Sequence, residues 1–252
     1  MKPALIPIAI VFDVDGTLAE TEEAHRAAFN LAFVDFGLDW TWDQDLYRIL
    51  LKVTGGKERL EYFMDRDGIT PRLSPDEVKA LHGQKTLYYD RLLSAGEIAL
   101  RPGVARLIQA ARSSNVKLAI ATTTSEANVA SLGESTLGKS WAEFFHVIAA
   151  GDVVNKKKPA PDIYELAIEQ LGVDPKDTIA IEDSRNGLIS ARTAGLKVVV
   201  TPSFYTSDED FSQAQAVVDH LGDPGNLATV ERGPKLEAGE VDLTWLAKLL
   251  VR

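Results

Sequence analysis

The chain has 252 residues, with 27 Lys and Arg against 37 Asp and Glu, for a net charge of −10. No global positive field exists to draw such a chain onto nucleic acid or an anionic membrane, so neither is an expected partner. The absence of cysteine excludes disulfides, thiolate metal sites and cysteine nucleophiles, which leaves oxygen and histidine as the only metal ligands.

An apolar fraction of 45% with 25% charged residues is that of an ordered globular protein. The apolar stretch 5–12 is broken by Pro7 and closed by Asp13, too short for a membrane span or a secretory leader. A cytoplasmic protein is expected, or one of the plastid stroma if a targeting segment has been removed. Residues 8–12 (Ile-Ala-Ile-Val-Phe) form a continuous β-rich run, the pattern of a strand buried on both faces of a parallel sheet. Runs of the same kind recur at 117–121, 147–150, 178–181 and 197–200, with helical patterns between them. This alternation predicts a doubly wound, Rossmann-like α/β core.

Residues 20–95 contain no comparable strand run and read as helices. Ala24, Ala27, Ala28, Leu31 and Ala32 make one helical stripe, and Ser74-Pro75-Asp76-Glu77 is a capped start for a helix running to about Leu93. The expected division is an α/β core of residues 1–18 and 97–252 interrupted by a helical domain of residues 19–96. Hinges are expected at 18–20 and 96–100, the second leading through Gly96 to the Arg101-Pro102-Gly103 turn. After Val218 the chain is rich in Gly, Pro and Asp and reads as surface loop, followed by an amphipathic helix over 243–250.

The first strand ends in Asp13-Val14-Asp15-Gly16-Thr17. Ligands bind outside the carboxyl ends of the strands in open α/β sheets, and two carboxylates at i and i+2 leave an extended segment on one side. The pair suits a nucleophile beside an acid/base, two ligands for a hard cation, or a turn that caps the next helix. The second strand ends in Thr122-Thr123-Thr124-Ser125, offering hydroxyls for phosphate or a helix cap. After the third comes Lys156-Lys157-Lys158-Pro159, which in isolation reads as a solvated face, and the fourth ends in Glu182-Asp183-Ser184, a second acidic pair or another cap. Converging at one sheet edge, these groups point to phosphoryl chemistry: Mg²⁺ on carboxylate oxygens, a lysine and hydroxyls neutralising charge, and a carboxylate placed to attack.

In order and spacing, Asp13-Val-Asp-Gly-Thr, Thr122, Lys158-Pro159 and Glu182-Asp183 resemble the four motifs of the haloacid dehalogenase superfamily, and the helical insert resembles its cap domain. The Asp13 to Glu23 and Trp40 to Tyr47 segments, with Thr54-Gly55-Gly56-Lys57-Glu58-Arg59, are most similar to the CbbY-type branch. That resemblance implies a Mg²⁺-dependent phosphatase that dephosphorylates xylulose 1,5-bisphosphate, an inhibitor of Rubisco, to xylulose 5-phosphate. It further implies Asp13 as nucleophile, Asp15 as general acid/base, Thr122 and Lys158 as ligands of the transferring phosphoryl group, and Asp13, Asp15 (through its carbonyl), Asp183 and Glu182 around the metal, Glu182 more remotely.

The resemblance places substrate contacts at Glu20, His25, Tyr47, Thr123 and Arg185, and a second phosphate on Gly55, Gly56, Lys57 and Arg59. Residues 54–59 are not a Walker A loop, which requires Gly at the position of Leu51 and Ser or Thr at that of Glu58. A phosphosugar mutase of the β-phosphoglucomutase kind uses the same carboxylates, and a broad-specificity phosphosugar phosphatase or a non-catalytic phosphate sensor shares the fold. The resemblance implies a monomer.

Overall fold

The computed structural model describes residues 6–95 and 98–250. The seven-stranded sheet has the order β3-β2-β1-β4-β5-β6-β7, with β1 Ala9–Phe12, β2 Lys117–Thr122, β3 Val147–Ala150, β4 Thr178–Glu182, β5 Lys197–Val200, β6 Ala216–Val218 and β7 Val230–Arg232. All pairs are parallel except β6 with β7. The five long apolar runs thus became the five contiguous parallel strands β3-β2-β1-β4-β5, with β3 at one edge of the sheet. The segment read as loop after Val218 contributes the edge strand β7, whose three residues, two of them exposed, carry too little apolar periodicity to announce a strand.

The two faces of the sheet differ in side-chain size, and this sets what packs on each. Ile10, Phe12, Leu118, Ile120, Ile179 and Ile181 point to one face, where they meet α5 Val104–Ser113, α6 Glu126–Leu137 and the C-terminal α9 Leu243–Leu250. Ala9, Val11, Ala119, Ala121 and Ala180 point to the other, and their small side chains let α7 Asp162–Leu171 and α8 Arg185–Thr193 lie close to the strands. Each fully buried Ile or Phe on the first face contributes about 2 kcal/mol, which makes that face the main source of stability.

Four helices are inserted between β1 and β2: α1 Glu22–Asp35, α2 Gln44–Leu50, α3 Gly56–Arg66 and α4 Pro75–Ser94. The Ser74 cap is present, its hydroxyl accepting from the Glu77 N–H while the Glu77 carboxylate accepts from the Ser74 N–H. Inside the insert Trp42 is fully buried, with ring centroids 4.6 Å from Phe29, 5.0 Å from Phe33 and 5.4 Å from Phe63. The buried stripe of α1 is rotated from the expected one: His25, Ala28, Phe29, Ala32 and Phe33 face inward, and Leu31 is 42% exposed. The aromatic rings, larger than the alanines, decide which face the helix buries.

The two linkers lie side by side where Ala19 bridges Leu100 and the Arg101 N–H donates to Leu18 O; Gly96, expected at the second hinge, is outside the described residues. Arg101 fastens this crossing. Its guanidinium donates to the carbonyls of Gly16, Thr201 (2.6 Å), Pro202 (2.8 Å) and Asp219 (2.9 Å), and its Nε lies 3.3 Å from Glu20. Arg101→Met removes a charged donor and strands those carbonyls, so chemical denaturation of the variant is expected to give a stability lower by about 3 kcal/mol. A change below 0.5 kcal/mol, the range of ordinary surface substitutions, would contradict this reading.

Candidate active site

Parallel in-register pairing levels the strand ends. Phe12 pairs with Ile120 and with Ile181, so the residues that follow emerge together: Asp13 from β1, Thr122 at the end of β2, Glu182 and Asp183 from β4. The Asp13 N–H donates to Ile181 O at 3.0 Å and extends the ladder one step into the site. Gly16, at φ 78°, then turns the chain beneath Asp183; a side-chain carbon there would lie 2.2 Å from Asp183 Oδ2.

Lys158 is the hub. Its Nζ lies 2.6 Å from Asp13 Oδ1 and 2.6 Å from Glu182 Oε1, and the side chain is 4% exposed. Glu182, fully buried, also accepts from Tyr164 Oη at 2.6 Å. Burial opposes the Lys158 charge, but the two carboxylates outweigh it and raise its pKa. Burial pushes Asp13 up to about 8 against the pull of Lys158, and burial with the Asp13 and Glu182 charges raises Asp183 well above the usual carboxylate range. Three buried acids share one cation, an arrangement short of positive charge.

Asp13, Glu182 and Asp183 each offer a carboxylate oxygen within 4.8 Å of the others, an all-oxygen set compatible with a hard metal ion. The Glu182 Oε1 is already taken by Lys158 and Tyr164, which leaves Asp13 and Asp183 as the carboxylates best placed to hold one. Asp183 is steadied by Thr206, whose hydroxyl donates to its carbonyl at 2.8 Å. The Asp15 carboxylate is not part of this group and is engaged elsewhere. Its Oδ1 accepts from Thr21 Oγ1 at 2.5 Å and from His25 Nε2 at 3.0 Å. Behind it, Lys85 Nζ lies 2.5 Å from His25 Nδ1, and the imidazole stacks on Tyr89 at 4.0 Å. Burial alone would raise the Asp15 pKa; His25, Thr21 and Thr124 pull it below its ordinary value. Burial and the neighbouring Lys85 lower the His25 pKa against the pull of Asp15, and burial takes Lys85 down to about 8.

These groups open on a cleft of about 600 Å³ between the strand ends and the helical insert. Asp13, Asp15, His25, Gly55, Gly56, Lys57, Arg59, Thr122, Thr123, Lys158 and Asp183 all line it. Three expected contacts do not. Glu20 pairs with Arg101, because it precedes α1 and faces the linker crossing. Tyr47 is buried behind Arg59, its hydroxyl donating to Glu22 (2.9 Å) and accepting from Arg59 (3.0 Å). Arg185 is exposed on the first turn of α8, and its neighbour Asn186 faces the cleft and donates to Thr54 Oγ1 of the insert at 3.1 Å. The capping expectations also hold on adjacent residues, since Ser125 and Ser184 cap α6 and α8 while Thr122 and Asp183 face the cleft.

Glu22, His82, Lys85, Asp152 and Lys157 line the cleft and were not anticipated. The available signal for Lys85 was its position: Val78, Leu81, Lys85 and Tyr89 form a buried stripe of α4, and a lysine in such a stripe needs partners. The insert is docked from the core side by Tyr205, buried among insert aromatics, whose carbonyl accepts from Arg48 at 2.7 Å; Arg48 also pairs with Asp208 at 3.1 Å.

A haloacid dehalogenase-like hydrolase model matches residues 9–195, and the chain belongs to that family. It is 49% identical to protein CbbY of Cereibacter sphaeroides over 88% of this chain and 96% of that one, and 52% identical to CbbY of Rhodobacter capsulatus over 88% and 97%. Among solved structures, CbbY from Rhodobacter sphaeroides in complex with phosphate superposes with a TM-score of 0.82 at 49% identity, covering 85% of this chain and 95% of that chain. A β-phosphoglucomutase from Clostridium difficile, at 23% identity and a TM-score of 0.71 over 85% and 92%, shares the fold. The chain is a phosphatase of this hydrolase family, similar to the CbbY proteins over most of its length.

Two outcomes follow from the geometry. Asp13→Asn keeps the shape and removes the carboxylate that pairs with Lys158 at the centre of the site, so phosphate release is expected to fall by at least about a thousandfold with circular dichroism unchanged. The second concerns His82, whose pKa burial and Lys85 push down to about 3 from 6.5. The folded state excludes a proton that the unfolded chain accepts below pH 6.5, so the associated stability is present above that pH and lost as pH falls. In denaturant titrations between pH 7 and pH 5, His82→Gln is expected to lose about 1–2 kcal/mol less than the parent chain. Parallel pH profiles would contradict the assignment.

Proposed function

We propose that this phosphatase hydrolyses a sugar bisphosphate with Mg²⁺, and that its substrate is xylulose 1,5-bisphosphate, an inhibitor of Rubisco, converted to xylulose 5-phosphate. The observation that carries this reading is a single cleft lined both by a reacting group, Asp13 with Thr122 and Lys158, and by the cationic Gly55-Gly56-Lys57 start of α3 with Arg59. A crystal structure of a CbbY mutant from Rhodobacter sphaeroides in complex with xylulose-(1,5)bisphosphate, 48% identical over 85% of this chain, supports the same substrate.

Asp13 attacks phosphorus in line and takes the phosphoryl group as an aspartyl phosphate. Lys158, bonded to Asp13, favours the ionised form that attacks, against the opposing effect of burial, and faces the charge that grows on the phosphoryl oxygens. Thr122 accepts from the Thr124 N–H at 3.2 Å, which turns its own proton toward the incoming oxygen. Asp15 protonates the departing sugar oxygen and then takes a proton from the water that cleaves the intermediate. Its resting carboxylate suits the second half; for the first, His25 and Lys85 form a hydrogen-bonded line along which a proton can reach it. Asp13, Asp183 and the Asp15 carbonyl would hold Mg²⁺, which would supply charge neutralisation at the phosphoryl oxygens. Residues 19–96 act as a cap that opens for exchange and closes to exclude water. One chain furnishes both of these groups, which supports action as a monomer.

The test is phosphate release with Mg²⁺ from xylulose 1,5-bisphosphate beside ribulose 1,5-bisphosphate, fructose 1,6-bisphosphate and β-glucose 1-phosphate, with Asp13→Asn as blank. The reading expects selective release from xylulose 1,5-bisphosphate. Indiscriminate release would indicate a broad phosphosugar phosphatase, and conversion of β-glucose 1-phosphate to glucose 6-phosphate would indicate a mutase.

A further inference from the structure

The run Lys156-Lys157-Lys158 is only partly accounted for by the reacting group of the cleft. Lys158 is buried on Asp13 and Glu182, whereas Lys156 is exposed. Lys157 does neither. Its side chain, 15% exposed, reaches toward the cap, with Nζ 2.8 Å from Glu58 Oε1 and 3.0 Å from Asp152 Oδ1. It stands so close to the cap's glycine turn that a side-chain carbon on Gly55 would lie 2.8 Å from Nζ. Asp152, which follows β3 on the core, also binds Lys57 of the cap at 2.7 Å. One carboxylate therefore bridges a core lysine and a cap lysine beside the amino end of α3, and Lys57, Asp152 and Lys157 line the cleft.

A carboxylate oxygen pair held by two ammonium groups marks a place that a phosphate dianion, with more charge and more acceptor oxygens, fits better. We propose that Lys157 is a specificity-determining residue: it binds the non-reacting phosphate of the substrate together with Lys57, and Asp152 occupies that anion position until the phosphate displaces it. Consecutive lysines then address the two phosphates of one substrate, Lys158 the one transferred and Lys157 the one retained. Because Lys157 belongs to the core and Lys57 to the cap, the retained phosphate also ties the cap shut, and a sugar with one phosphate lacks that tie. This assignment rests on the bisphosphate reading given above.

The experiment compares kcat/KM for xylulose 1,5-bisphosphate with that for p-nitrophenyl phosphate, which carries no second phosphate, in the full chain and in Lys57→Met, Lys157→Met, Lys157→Arg and Asp152→Asn. Lys157→Met is expected to lower the bisphosphate-to-monophosphate ratio by about tenfold or more, through KM for the bisphosphate, and Lys157→Arg to restore most of it. Asp152→Asn, which removes the resident competitor, is expected to lower KM for the bisphosphate. The proposal is overturned if Lys157→Met leaves the ratio unchanged while Lys57→Met reduces it, a result that keeps the bisphosphate reading. It is also overturned if Asp152→Asn raises KM, since Asp152 would then be a latch that holds the cap closed. A parent chain with no preference for the bisphosphate would remove the bisphosphate reading itself, and the proposal with it.

Discussion

A buried lysine held between two buried carboxylates organises this molecule. Moving one ammonium and two carboxylates out of water is costly, and the cost is recovered only if the 2.6 Å contacts of Lys158 with Asp13 and Glu182 are kept in place. Rigid neighbours keep them there. Asp13 is fixed by the β1 ladder, Glu182 by β4 and Tyr164, and Lys158 by the loop that leads into α7. The three side chains belong to segments far apart in sequence, so the sheet must be assembled before the charges can pair. The remaining shortage of positive charge, visible in the raised pKa values of Asp13 and Asp183, makes the same spot receptive to a cation and to an electrophilic phosphorus.

The inserted helices answer a different physical requirement. A phosphoryl group must be shielded from bulk water during transfer, yet the substrate must enter and leave. The insert has its own aromatic core around Trp42 and meets the α/β core through both apolar and polar contacts: Tyr205 buried among its aromatics, Tyr89 and Leu93 packed with Leu18 and Val129, and Arg48 with Tyr205 and Asp208, Asn186 with Thr54, and Lys57 with Asp152. Arg101 anchors the linker crossing to the loop that follows Asp13, through the Gly16 carbonyl.

The core of this arrangement was legible in the sequence because parallel strands advertise themselves as uninterrupted apolar runs and put the residue after each run at the ligand-binding edge. Asp13, Thr122 and Asp183 follow from that rule, whereas Lys158, eight residues past the third run, was singled out only by its place before Pro159 in the family pattern. Residues supplied by the insert were harder to read, since helices present a different side chain every 100° and a shift of two positions changes the face. Glu20 and Glu22 look equivalent as letters, yet the first faces Arg101 and the second lines the cleft. Tyr47 was expected at the substrate and Arg59 at its second phosphate, but Tyr47 is buried behind Arg59, and their mutual hydrogen bond leaves only Arg59 in contact with the cleft. Asn186 rather than Arg185 faces inward because the first turn of α8 points one residue out and the next in. Lys157 was masked by its neighbours, since a run of three identical charges hides which partner each will meet.

The claim on which the rest depends is that Asp13 is the group that takes the phosphoryl. Single-turnover reaction of the enzyme with xylulose 1,5-bisphosphate, quenched in acid and read by peptide mass spectrometry, addresses it directly. The account predicts a phosphoryl group on Asp13 that appears before free phosphate and decays as phosphate is released. Phosphate appearing with no phosphorylated peptide at any time, under conditions that preserve an acyl phosphate, would contradict it and would assign the attack on phosphorus to water.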